Sequence, residues 1–253
     1  MPRTGVLHRP EGHKESEMSD RAPIAVALDA PDLDTAAYWA DLVTPHVSTL
    51  KVGLELYLRF GPDAVASVRG PRGADVFLDL KLHDIPATVG RAARAVAKVR
   101  PDLLTVHAAA GAPAIKEAVQ TLPDTTIVAV TVLTSLSDRD LAEIGMVGSV
   151  RDAVLRLAAL AVGAGARGVV CSPQEVAAVR AEVGRDVTLI TPGVRPLGEA
   201  NHDQARVATP QEALRDGADL LVIGRPITGA SDPGAAAAAL ATALRRREPA
   251  AGR

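Results

Sequence analysis

From residue 23 onward the chain alternates between two kinds of stretch. A short run of β-branched residues and leucine ends in polar residues, and an alanine-rich amphipathic segment follows. The apolar runs are Ile24 to Leu28, Thr49 to Val52, Val76 to Leu80, Leu103 to Val106, Ile127 to Val132, Gly168 to Cys171, Val187 to Ile190 and Leu220 to Ile223. Each has the length and composition of a strand. The intervening pattern predicts helices over 33–46, 61–70, 86–99, 112–121, 150–164, 173–183, 210–216 and 234–247. Connections this long are not hairpins, so consecutive strands run parallel. Near-continuous apolar strands fit a parallel sheet covered by helices on one side and filled on the other.

Eight such units between residues 23 and 248 match the size of a closed (β/α)8 TIM barrel of the α/β class. An open doubly wound sheet would be expected to carry a GxGxxG turn after its first strand. Here Leu28 is followed by Asp29, Ala30 and Pro31. No linker or shift in composition interrupts residues 23–248, which predicts one domain flanked by residues 1–22 and 249–253. Residues 1–22 are polar, carry mixed charge and lack apolar periodicity, the pattern of a disordered tail. That segment has neither the apolar region of a secretory signal nor the acid-poor composition of a transit peptide, and Met18 offers an alternative start.

Composition narrows the partners. With 28 basic and 30 acidic side chains the formal charge is −2, which gives no general attraction for nucleic acid or an anionic membrane. Five aromatic residues in 253 argue against stacking platforms for single-stranded nucleic acid. Cys171 is the single cysteine, so no intramolecular disulfide or C-x-x-C zinc cage forms, and a cytoplasmic location is expected. No apolar run approaches the roughly 20 residues of a membrane span.

In a barrel of this kind the chemistry gathers where strands run out into βα loops. Asp29, Lys51, Asp79, Lys81, His107, Thr134, Ser172, Gly193, Gly224 and Arg225 all fall at such positions. The densest group is VFLDLKLHDIPAT, residues 76–88. Side chains alternate along a strand, so Asp79 and Lys81 share the inward face while Leu78, Leu80 and Leu82 face the helices. Asp84 follows, just before Ile85 and Pro86, where a helix can start. With Lys51 from the neighbouring strand these residues build an alternating charge network that favours charged lysines. A purely structural ion-pair network is the competing reading. Buried ion pairs are poor stabilisers, which favours a functional role.

The segment DLKLHDIPAT resembles the signature of the orotidine 5′-phosphate decarboxylase family, in its bacterial single-domain form. Collinear matches follow along the chain: VALD at 26–29, KVG at 51–53, VHAAAG at 106–111, VTVLTS at 130–135, GVVCSP at 168–173, TPGVRP at 191–196 and IGRPIT at 223–228. The resemblance implies decarboxylation of orotidine 5′-phosphate to uridine 5′-phosphate and CO2, the last step of de novo UMP synthesis. It implies no metal and no organic cofactor. Its catalytic residues would be Lys81, Asp79, Asp84 and Lys51. Lys81 would protonate C6 of the pyrimidine, and Asp79 would stand beside the scissile carboxylate. Asp29 and Lys51 would contact ribose hydroxyls and Thr134 the base, with Ser135 and Ser137 as neighbours. Gly224 and Arg225 would hold the phosphate, near the start of a short helix after strand eight. Arg195 and Gln204 would contact substrate from a mobile loop spanning 191–207. Asp84 and Thr88 would reach into the partner's site of a homodimer.

His107 is read as a hydrogen-bonding residue of the mouth, His83 and His202 as lying outside the strand ends, and Cys171 as a core residue. The alternatives are a Mg²⁺-dependent sugar-phosphate decarboxylase or aldolase of the same superfamily, with Glu55 as an ambiguous extra acid, and a catalytically inactive nucleotide-binding or scaffold protein. Because aromatics are few, a base would be read by hydroxyls, backbone amides and aliphatic walls. Attraction for an anionic substrate would be local, in Lys51, Lys81, Arg195 and Arg225.

Overall fold

The structure, a computed structural model, describes residues 21–70, 73–194 and 208–245. Eight parallel strands close into a barrel in sequence order. They are β1 (Ala22–Ala27), β2 (Val47–Gly53), β3 (Asp75–Leu82), β4 (Leu103–His107), β5 (Thr126–Val130), β6 (Gly168–Val170), β7 (Thr188–Thr191) and β8 (Leu220–Ile223). Pairing of Ala25 with Val222 joins β1 to β8 and closes the ring. All eight predicted runs became strands, and β1 starts one residue inside the segment read as tail.

The helices are α1 (Leu33–Val43), α2 (Leu54–Phe60), α3 (Pro62–Val68), α4 (Pro86–Val96), α5 (Ala112–Thr121), α6 (Asp138–Glu143), α7 (Val150–Gly163), α8 (Val176–Val183), α9 (Pro210–Arg215), α10 (Arg225–Thr228) and α11 (Pro233–Arg245). Two of these, α2 and α6, were not predicted, and α10 falls where a short helix was expected after strand eight. Gly61, at φ 57°, separates α2 from α3, so the helix predicted over 61–70 is α3 and the unpredicted α2 precedes it. α6 is set by a capping box in which Ser137 and Asp140 each bond the other's backbone N–H. α10 is a single four-residue turn beginning Arg-Pro, too short for a periodic signal.

Strand alternation sorts the core into two layers. Ala25, Phe77, Leu103, Val128, Ile190 and Leu220 fill the barrel interior. Ile24, Val26, Leu28, Leu78, Leu104 and their neighbours pack between strands and helices. The interior is tight around Gly168, where an added Cβ would come within 2.9 Å of Val128 Cγ2.

The strand N-terminal end carries two matching clasps. Asp102 precedes β4; its N–H donates to the Val76 carbonyl at 3.0 Å and its carboxylate accepts the Val76 N–H at 2.7 Å. Asp219 precedes β8 and does the same to Leu189, at 2.9 Å and 2.7 Å. Each is backed by an arginine that also ties down carbonyls: Arg69 bonds Arg100 O at 2.7 Å, and Arg180 bonds Val187 O and Gly217 O, each at 2.8 Å. These clasps fasten the closed end and leave the other end to chemistry.

Candidate active site

At the C-terminal ends of the strands lies a cavity of about 330 Å³. The barrel topology brings seven predicted site residues to its wall: Asp29, Lys51, Asp79, Lys81, Thr134, Gly224 and Arg225. Aliphatic residues complete it, among them Val130, Val132, Val170, Val194 and Val222. Asp84 and Thr88 are not on this wall. Asp84 is exposed and accepts the Ile85 N–H at 2.7 Å, and Thr88 accepts from the exposed Arg91 at 3.2 Å. Ser137 caps α6 rather than lining the cavity, and Ser135 is also off the wall. Arg195, Gln204 and His202 lie outside the described residues, as do residues 1–20 with Met18.

Asp79 is the hub. One of its oxygens, Oδ2, receives Lys81 Nζ at 2.7 Å and has Lys51 Nζ at 3.5 Å. The other, Oδ1, accepts the Thr105 hydroxyl at 3.0 Å. Lys51 continues the chain of charges to the half-exposed Asp29 at 3.7 Å. Asp79 and Lys51 are each only 8% exposed, so neither charge is well solvated. Burial pushes the Asp79 carboxyl up, but Lys51, Lys81 and the hydrogen bonds from Lys81 and Thr105 outweigh it and hold the carboxyl below the usual carboxylate range. Asp79 is therefore an anion locked between two cations.

Alternation predicted the correct faces. Phe77 is in the barrel interior, and Leu78, Leu80 and Leu82 pack toward the helices. The backbone, however, is not that of a plain strand. β3 and β4 pair at Leu78 with Leu104 and again at Leu82 with Val106. Asp79, Leu80 and Lys81 thus span the interval that Thr105 covers alone, a bulge of the kind found beside active sites. Lys81 sits at φ 50°, the left-handed region, which costs a non-glycine residue roughly 1–2 kcal/mol. Its N–H, lost to the ladder, donates to Thr105 Oγ1 at 2.8 Å.

Two residues that matter here were not singled out from the sequence. Thr105, fully buried, looks like an ordinary β-branched strand residue; its one signal is a hydroxyl in the otherwise apolar run LLTV. Gly53 ends β2 beside the lysine: a Cβ there would lie 2.8 Å from Asp29 Oδ1 and 3.0 Å from Lys51 Nζ. Its place in KVG was noted, its reason was not.

His83 lies just past the end of β3, outside the strand as expected, and its ring is 5.1 Å from that of His107, tilted by 31°. Burial, then His83 and Lys81, push the His107 imidazole below its ordinary value, with Asp79 partly opposing. Cys171 is a core residue as expected, its thiol pushed up to about 12 chiefly by burial. Glu55, the ambiguous acid, is on α2, off the cavity wall, and pairs with Arg59 at 2.8 Å.

Comparison with known proteins identifies the family and the fold. The sequence profile of the orotidine 5′-phosphate decarboxylase / HUMPS family matches residues 22–240. The chain is 69% identical over 225 residues to an orotidine 5′-phosphate decarboxylase of Thermobifida fusca, covering 89% of this chain and 97% of that one. It is 54% identical over 241 residues to one of Frankia casuarinae, covering 88% of each. Among solved structures, the orotidine 5′-phosphate decarboxylase of Lactobacillus acidophilus superposes with a TM-score of 0.77 at 37% identity, over 88% of this chain and 98% of that one. On this similarity, which spans the barrel from its first strand to its last helix, the chain belongs to the orotidine 5′-phosphate decarboxylase / HUMPS family.

Proposed function

We propose that this protein decarboxylates orotidine 5′-phosphate to uridine 5′-phosphate and CO2, with Lys81 as the proton donor. The observation that carries the reading is the Lys81 ammonium held 2.7 Å from Asp79 on the wall of a cavity that also presents Gly224 and Arg225 across the barrel mouth. In the step itself the bond from C6 to the carboxylate breaks and CO2 departs. The electron pair stays on C6, and one Lys81 N–H proton moves to that carbon. The neutral amine regains a proton from water afterwards. A fixed ammonium both stabilises the developing carbanion and quenches it, without the reorganisation that water would need.

Asp79 serves this step by orienting Lys81. Its two oxygens are already engaged by two ammonium groups and a hydroxyl, which leaves it poorly placed to act through charge repulsion alone. Arg225 offers a guanidinium fork to the phosphate and Gly224 a close backbone approach. The aliphatic wall suits the base, and Thr134 offers it a hydrogen-bonding group. Binding of the distant phosphate can then be used in the transition state. Arg195 and Gln204 join this proposal as substrate contacts.

The reaction as proposed uses no metal or organic cofactor. Both acids on the cavity wall, Asp29 and Asp79, face lysine. Among the described residues no three of His, Cys, Asp and Glu gather as metal ligands. A homodimer is part of the same proposal. Leu58 and Ile85, in the connections after β2 and β3, are 78% and 65% exposed, and Val147, after β5, is 83% exposed. Exposed apolar side chains in these connections are the surface proposed for a second copy, which would receive Asp84 and Thr88. Among the described residues no helix is long and apolar enough to cross a membrane, and a single buried cysteine fits a cytoplasmic place of action.

The test is loss of orotidine 5′-phosphate absorbance, with and without EDTA, on a sample whose mass is measured by sedimentation. Turnover unaffected by EDTA from a species of twice the chain mass is expected. Turnover abolished by EDTA, or none by the folded chain, would contradict the reading.

A further inference from the structure

The structure assigns Thr105 a positioning role: its single hydroxyl sets both the backbone of Lys81 and the carboxylate plane of Asp79. This inference rests on the decarboxylase reading and adds a residue to it. The Thr105 hydroxyl accepts the Lys81 N–H at 2.8 Å and donates to Asp79 Oδ1 at 3.0 Å. One donor and one acceptor are used, each on a different residue of the reacting pair.

Three features make this more than an ordinary strand threonine. First, the hydroxyl is fully buried, so water does not stand in for it if it is removed. Second, it lies at the one place where the β3 and β4 ladder slips, opposite Asp79, Leu80 and Lys81. A left-handed lysine at φ 50° needs something to hold it there, and its N–H bond to Thr105 is the tie across that gap. Third, the bond to Oδ1 fixes the rotation of the carboxylate, so that Oδ2 alone faces Lys81 and Lys51. The hydroxyl therefore converts a bulged strand end into a defined placement of one ammonium.

Two substitutions separate this role from mere packing. Thr105→Val keeps the shape and removes the hydroxyl, leaving a buried N–H and a buried carboxylate oxygen unpaired. Thr105→Ser keeps the hydroxyl and removes a methyl. For the Val variant kcat is expected to fall by about 10- to 100-fold with KM within about threefold of wild type, the pattern of a misplaced reacting group rather than a lost contact. The Ser variant is expected to regain most of that kcat. A crystal structure of the Val variant is expected to show Lys81 out of the left-handed region and its Nζ beyond hydrogen-bond distance of Asp79.

Wild-type kcat in the Val variant would overturn the inference, as would a Ser variant no better than the Val variant. So would a Val-variant crystal structure that keeps Lys81 left-handed and its Nζ near 2.7 Å from Asp79. The crystallographic readout does not depend on turnover. If wild type fails to turn over orotidine 5′-phosphate, the function falls while the geometry of Thr105 is still decided.

Discussion

Asp79 and Lys81 form a pair that neither residue could form alone in this setting. An isolated carboxylate this deep would be costly, and an isolated ammonium on the bulge would have no fixed direction. Together with Lys51 and Thr105 they give a desolvated but balanced group. Asp79, Lys81 and Lys51 were legible in the sequence because charges at the ends of apolar strands demand partners. Thr105 was not, since a threonine fits a strand without any special reason. Gly53 was hidden for another cause: the close contacts a side chain would meet there come from Asp29, just after β1, and Lys51 in β2. Gly53→Ala brings a Cβ against flexible side-chain ends at 2.8 and 3.0 Å, so the fold should adjust while Asp29 and Lys51 shift. KM for orotidine 5′-phosphate is expected to rise by about 5- to 30-fold, consistent with roughly 1–2 kcal/mol of lost binding, with little change in Tm. Steady-state kinetics checks this; an unchanged KM would remove Gly53 from the site.

The strands carried the clearest signal, and all eight appear where apolar runs predicted them. Boundaries moved because pairing, not composition, sets them: β1 reaches back to Ala22 since that residue pairs with Val47. Of the missed helices, α6 is set by local chemistry, the Ser137 capping box, and α2 is a seven-residue segment with no side-chain cap to mark its start. The two clasps at the far end belong to this scale, because each ties the start of one strand to the next. Asp219→Ala deletes the acceptor of the Leu189 N–H and the partner of Arg180. Asp219 is partly exposed, so solvent screens the ion pair, and a loss of about 1–2 kcal/mol is expected. That corresponds to a fall in Tm of roughly 3–8 °C, with kcat unchanged because the clasp lies at the opposite end of the barrel. A normal Tm, or a changed kcat with a normal Tm, in a thermal melt and activity assay would contradict that division of labour.

At the scale of the whole molecule, closing eight strands in order gathers polar residues from five parts of the sequence on one wall. A net charge of −2 leaves the attraction for an anionic substrate to a few lysines and arginines in that mouth. With Phe77 the one aromatic on the cavity wall among the described residues, aliphatic side chains do the enclosing there. The part of the site that the sequence pattern suggested and a single chain does not assemble is Asp84 with Thr88, whose proposed place is in a second copy. The central claim nevertheless rests on one side chain. Turnover of orotidine 5′-phosphate by Lys81→Ala, with folding checked by circular dichroism and Tm, tests it most directly. The variant is expected to keep the wild-type fold and lose at least about a hundredfold in kcat, the range for a proton donor. Near-wild-type turnover by a folded Lys81→Ala protein would contradict the account.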